Sequence, residues 1–343
     1  MSNFPKNVQI NNISQNNYNP CIHIGDSAPM EEETNFLKQN LNQNSINLQS
    51  IQTNATSEEF NYQLINDLND SISDKTLSEN DEGEIYSYEN EYYSEVYKNL
   101  ILDENYFYQK INPNYMSFQK DINYKMRAIL VDWLIDVHFH CNFKQKTLFH
   151  SIFIIDALLS KIQINKNNFQ LVGTAALLIS CKENEIMYPS LKKFAELTDN
   201  AYSVNQIVSM EKKILKILKF DIFTPTSEEF YHINAEYFDF NEEQKYFGYY
   251  FLESSLIDSH LLKYKMSTVA ISCVYIVMKY YKLDKVHLVF DNCAPNVKQK
   301  EVKNCARDLC FLVKNLSNSS LGAIKNKYIN EKFLKVAELC EKK

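Results

Sequence analysis

Residues 125–140, KMRAILVDWLIDVHFH, have the period of a helix yet are apolar almost all the way round. Met126, Ile129, Leu130, Trp133 and Val137 make one stripe, and Ala128, Val131, Leu134 and Ile135 fill much of the remainder. Such a helix is either enclosed by other helices or buried on one side and used as a contact surface on the other. Both alternatives need a bundle, and the chain supplies one. Apolar helical runs follow at 146–161, 168–186, 190–198 and 203–220. In the last of these, Ile207, Met210, Ile214, Ile217 and Leu218 form a stripe with lysines opposite, and Ser203 with Gln206 has the spacing of a capping box. Pro225 ends the series, and Thr226 with Glu229 offers a second capping box. Further helical runs are expected at 227–238, 242–260, 266–282, 297–316 and 330–343. Five glycines and seven prolines are too few for the turns of an all-β protein.

Two features suggest that the bundle occurs twice. Gly173-Thr174-Ala175-Ala176 and Ser267-Thr268-Val269-Ala270 are small-residue centres of apolar helices, 94 positions apart. Small residues let helices approach closely, so each segment is a candidate central helix of its own bundle. Upstream, residues 94–107 read as one helix lying against the folded body, and 111–124, broken by Pro113, as an extended connector.

The charge is uneven. Residues 1–97 hold 16 acids against Lys6, Lys38 and Lys75, a net −13, which leaves +6 for the rest of a chain at −7. This acidic part is rich in Asn, Gln and Ser and cannot bury enough apolar surface to offset its ordering entropy, so residues 1–90 are expected to be a disordered tail. The basic part has scattered lysines and two arginines, with no face that would track phosphates. The eight cysteines show no metal spacing and are expected to be reduced. The N-terminal MSNFPKN has no apolar core of a signal peptide, and no run approaches 18 apolar residues, so no membrane span is expected. His138 and His140 are two apart, a poor metal pair on a helix, and no phosphate loop, nucleophile elbow or catalytic carboxylate pair is found. No cofactor, metal or catalytic residue is therefore expected.

MRAILVDWLIDVH (126–138) resembles the signature of the cyclin box of mitotic cyclins, and the resemblance continues in register through IIDALLS (154–160), FQLVGTAALLISCKENEI (169–186), LTDNAYSVNQIVSMEKKIL (197–215), FTPTSEEF (223–230) and LKYKMSTVAISCVYI (262–276). It covers roughly residues 90–343, is strongest in the first box, and looks closer to B-type than to A-type. It implies an all-α chain: the tail 1–90, an N-terminal helix and connector at 91–124, a five-helix box at 125–222 and a second five-helix box at 223–343. It implies a non-catalytic regulatory subunit, nuclear and cytoplasmic, that binds and activates a cyclin-dependent protein kinase.

Carried over residue by residue, the resemblance places kinase contacts at Lys182 and Glu211, with Ile179 and Phe220 as apolar positions of the same interface. Glu183 departs from the pattern, which has an aromatic residue directly after the lysine. Ala157 also stands where the family usually has Arg. Arg127 and Asp156 match a buried ion pair tying the first two helices. Met126, Ile129, Leu130 and Trp133 match a groove that docks Arg-x-Leu peptides of substrates and inhibitors, with Gln170 as a polar contact and Asp136 and Asp199 attracting the peptide's arginine. Residues 1–97 lack the arginine of an Arg-x-x-Leu destruction box, and the KEN string at 182–184 falls on the interface helix. The competing reading is a transcriptional cyclin or a cyclin-fold transcription factor that grips DNA, against which the sparse arginines argue.

Overall fold

The computed structural model describes residues 87–289 and 298–340. Twelve α-helices are traced among them, with no strand. Helix α1, Ser87–Tyr108, begins four residues before the expected start at 91; the rest of the expected tail lies outside the described residues. The first bundle comprises α2 (Tyr124–Cys141), α3 (Gln145–Leu159), α4 (Phe169–Asn184), α5 (Leu191–Glu196) and α6 (Val204–Ile217). The second comprises α7 (Ser227–Tyr237), α8 (Glu242–Ile257), α9 (Met266–Tyr280), α10 (Gln299–Ser317), α11 (Ala323–Tyr328) and the single-turn α12 (Val336–Leu339). No described helix is long and apolar enough to cross a membrane.

The small-residue segments are the two central helices. Every residue from Leu171 to Cys181 of α4 is buried, as is every residue from Ser267 to Met278 of α9. Helix α4 packs on α2, α3 and α6; α9 packs on α7, α8 and α10. Gly173 shows why a small residue is needed, since a Cβ there would lie 2.7 Å from Leu130 Cδ1. The capping boxes at Ser203–Gln206 and Thr226–Glu229 both form, and a third at Asn241–Gln244 starts α8.

Two expectations are corrected, and one helix is added. The connector is not simply extended: Tyr115–Ser117 form a 3₁₀ turn that buries Tyr115 and Met116. The C-terminal run is not one helix. Leu334 and Lys335, at φ 53° and 55°, break it between a 3₁₀ turn and α12. Helix α11, not anticipated, packs against α2.

The two bundles are joined by polar contacts as well as by apolar packing. Lys327 of α11 and Glu253 of α8, both buried, form an ion pair at 2.6 Å, and Gln145 of α3 donates to the same Glu253 oxygen at 2.7 Å. Helix α1 touches both: buried Glu104 accepts from the Ser267 N–H and hydroxyl, each at 2.7 Å, and the Phe107 ring meets Phe153 of α3 edge-on, while Lys110, just beyond the helix, pairs with Asp221 of the interbundle link.

Asp132 of α2 accepts from the Ala323 N–H at 3.0 Å and is buried. Burial pushes its carboxyl up to about 7, against the lowering effect of the Ala323 bond. Since that exceeds the ordinary value of about 3.9, its contribution to stability is complete below the ordinary value and is lost as pH rises through about 7. Asp132→Asn retains an oxygen for Ala323 and is expected to flatten the decline in stability between about pH 4 and pH 8. Urea midpoints across that range check this; an unchanged slope would assign the decline to other groups.

Candidate functional site

Lys182 stands in the last turn of α4 and Glu211 in the middle of α6, two helices packed side by side. Their side chains meet at 2.5 Å, Nζ to Oε1, with Lys182 39% exposed and Glu211 9%. The carboxylate is thus held inside while the ammonium projects its remaining donors outward. The segments that follow these two helices carry exposed apolar side chains. Ile186 and Met187, in the loop after α4, are 92% and 82% exposed, and Phe220 and Phe223, after α6, are 71% and 68% exposed. Leu102 and Tyr106 of α1 are also exposed, and the Tyr106 hydroxyl donates to Asp221 at 3.2 Å, which places α1 beside the Phe220–Phe223 segment. Exposed apolar side chains on the segments that follow the two helices of the pair make this face a candidate protein-binding surface.

Two positions on this face differ from expectation. Ile179 is only 3% exposed, so it supports the face from beneath instead of lining it; one turn before the end of α4, its side chain faces the bundle. Glu183 turns inward, with Oε2 at 2.7 Å from Nδ1 of buried His150.

On α2, Ile129 is 52% exposed, and Met126 and Trp133 are partly exposed beside it. Leu130 is 5% exposed and packs on Gly173, so it forms the floor under the stripe and not its wall. Gln170 lies in the first turn of α4, partly exposed. Asp136 is met by His140 one turn on, at 3.3 Å. Asp199 is exposed in a left-handed turn after α5, φ 51°.

Arg127 and Asp156 form a bidentate pair, Nε to Oδ1 at 2.8 Å and Nη2 to Oδ2 at 2.7 Å, with both side chains 2% exposed. Burial opposes the guanidinium charge, but Asp156 more than offsets it and raises the Arg127 pKa. Three partners were not legible beforehand. The Tyr115 hydroxyl donates to Asp156 Oδ1 at 2.7 Å, and Arg127 Nη1 donates to the carbonyls of Leu256 at 2.7 Å and Ile257 at 3.3 Å. Backbone carbonyls have no sequence signature, and Tyr115 lay in a segment read as a connector.

The family profile described as Cyclin, N-terminal domain matches residues 95–223, and that described as Cyclin, C-terminal domain matches 225–342. The chain belongs to the cyclin family. Its relatives include a G2/mitotic-specific cyclin-B of Hydra vulgaris, 32% identical over 255 residues, covering 72% of this chain and 67% of that protein. A cyclin-B2-1 of Oryza sativa subsp. japonica is 34% identical over 220 residues, covering 64% and 52%. The G2/mitotic-specific cyclin-B2 of Homo sapiens is 34% identical over 232 residues, covering 67% and 58%. This cyclin thus spans between about half and two thirds of the length of these relatives. Among solved structures, a viral cyclin from Herpesvirus saimiri matches with a TM-score of 0.57 at 17% identity, covering 63% of this chain and 96% of the viral one, a likeness of fold.

Proposed function

We propose that this cyclin is the regulatory subunit of a cyclin-dependent Ser/Thr protein kinase in mitotic control, acting in nucleus and cytoplasm. The observation that carries the reading is the Lys182–Glu211 pair, with exposed apolar side chains on the segments that follow its two helices. A kinase C-helix docked there is held inward, so that its glutamate pairs with the lysine that positions the ATP phosphates. The cyclin then contributes no catalytic group. It binds the active kinase conformation more tightly than the inactive one and shifts the population toward it. The test is phosphorylation of a histone-type substrate by a purified, inactive monomeric cyclin-dependent kinase, with and without the full chain. Strong stimulation is expected; neither stimulation nor binding would leave a cyclin fold that serves another partner, DNA or transcription proteins included.

The α2 stripe supports the second half of the proposal, recruitment of Arg-x-Leu substrates. Ile129, Met126 and Trp133 offer apolar anchors, and Asp136 and Asp199 offer charge for orientation. Trp133→Ala is expected to spare stimulation toward a short peptide lacking the motif and to weaken Arg-x-Leu substrates about tenfold, a loss of about 1.4 kcal/mol. Steady-state KM values for matched peptides check this, and an equal loss on both peptides would remove the docking assignment.

A further inference from the structure

The departure at Glu183 has a partner elsewhere in the fold. His150, in the first half of α3, is buried at 2% exposure beneath the Lys182 face. Its Nε2 lies 2.7 Å from the Ile222 carbonyl oxygen. A carbonyl only accepts, so Nε2 carries a proton in either charge state. The other nitrogen, Nδ1, has two neighbours of opposite character. Glu183 Oε2 lies at 2.7 Å and can only accept from it; the Asn184 amide nitrogen lies at 3.2 Å and can only donate to it. Nδ1 serves one of them at a time. Protonated, it holds the Glu183 carboxylate; neutral, it accepts from Asn184, which also donates to the Ser180 carbonyl at 3.0 Å.

The remaining charges around His150 have other partners. On α4, Lys182 is held by Glu211, and Glu185 accepts from the Thr147 hydroxyl and the Lys144 N–H. In the interbundle link, Asp221 is taken by Lys110 and Tyr106. On α7, Glu229 pairs with Lys146 at 2.8 Å and Glu228 accepts from Tyr249 at 3.0 Å. Glu183 is therefore the carboxylate left for the imidazole, and its Oε2 is buried with no other hydrogen-bond partner.

We infer that His150 and Glu183 form a protonation-dependent brace that governs the position after Lys182, holding the Glu183 carboxylate inside when the imidazole is charged and releasing it to the partner face when the imidazole is neutral. The inference rests on the kinase-binding reading of that face. It makes Glu183 a specificity residue and His150 a positioning residue. In place of an aromatic contact, this cyclin offers a carboxylate beside the Lys182 ammonium, which selects a partner surface carrying a basic side chain over one with an apolar pocket.

Two measurements test the brace. In the free full-length protein, the ring-proton NMR titration of His150 is expected to move to lower pH in Glu183→Gln, where the carboxylate that favours the charged ring is gone. An unmoved midpoint overturns the brace whatever the kinase does. Affinity for a purified cyclin-dependent kinase is then measured from about pH 5.5 to pH 8.5. Wild type is expected to tighten about fivefold or more with rising pH, while Glu183→Gln and His150→Gln stay flat. A flat wild type, or variants that retain its slope, overturns the coupling. Absence of kinase binding at every pH overturns the partner specificity together with the functional reading, and the NMR titration then decides the brace alone.

Discussion

Arg127→Ala is expected to lower the stability of the folded chain by about 3–5 kcal/mol, the range for removing one partner of a buried ion pair. The size follows from what is left behind. Asp156 would keep only the Tyr115 hydroxyl to answer its charge, at 1% exposure, and the carbonyls of Leu256 and Ile257 would lose their donor. Double replacement by apolar residues of similar volume, Arg127→Met with Asp156→Leu, is expected to be milder than the single change, because no buried charge is stranded. Denaturant unfolding of the three proteins checks both statements. A single-variant loss below about 1 kcal/mol would mean that water enters the site and meets the carboxylate.

Lys182→Ala combined with Glu211→Ala is expected to abolish kinase capture, a loss of at least about 100-fold, while leaving the helical circular dichroism spectrum intact. Lys182 is 39% exposed on the free surface, so its removal strands nothing in the core. Glu211 is 9% exposed and loses its one charged partner in the same step, so the pair is removed whole. The loss is expected in binding because each side chain orients the other. A complex that buries them uses their donors and acceptors fully, and truncating such pairs costs about 2–5 kcal/mol. Titration calorimetry or pull-down with the monomeric kinase reads the result, and normal capture by the double variant would place the interface elsewhere.

The helices of both bundles were legible because their apolar side chains recur at the helical period, and their starts because Ser203, Thr226 and their partners three residues on are capping residues. The central role of α4 and α9 was legible from small residues at matched positions. Less was legible where structure depends on neighbours distant in sequence. Helix α11 is six residues long and contains Lys325 and Lys327, too short and too charged to show a period. The break at Leu334 and Lys335 uses left-handed backbone without glycine, so nothing marks it locally. At the site, Lys182 and Glu211 lie on separate helices, and only the resemblance to mitotic cyclins paired them. That same resemblance could not say that Ile179 and Leu130 lie under their surfaces instead of on them, nor that His150, an unremarked residue on an apolar helix, waits beneath Glu183.

The guanidinium of Arg127 reaches past its carboxylate to the final carbonyls of α8, the negative end of a helix in the other bundle. The seam near residue 224, where one family profile ends and the next begins, is therefore not a seam in thermodynamics. A chimera that kept residues up to 224 and took its second half from another cyclin would inherit an arginine whose counter-dipole must be rebuilt by foreign backbone. Recombination at that point would succeed only between halves whose helix ends superimpose, because Arg127 ties the first box to the end of a helix in the second.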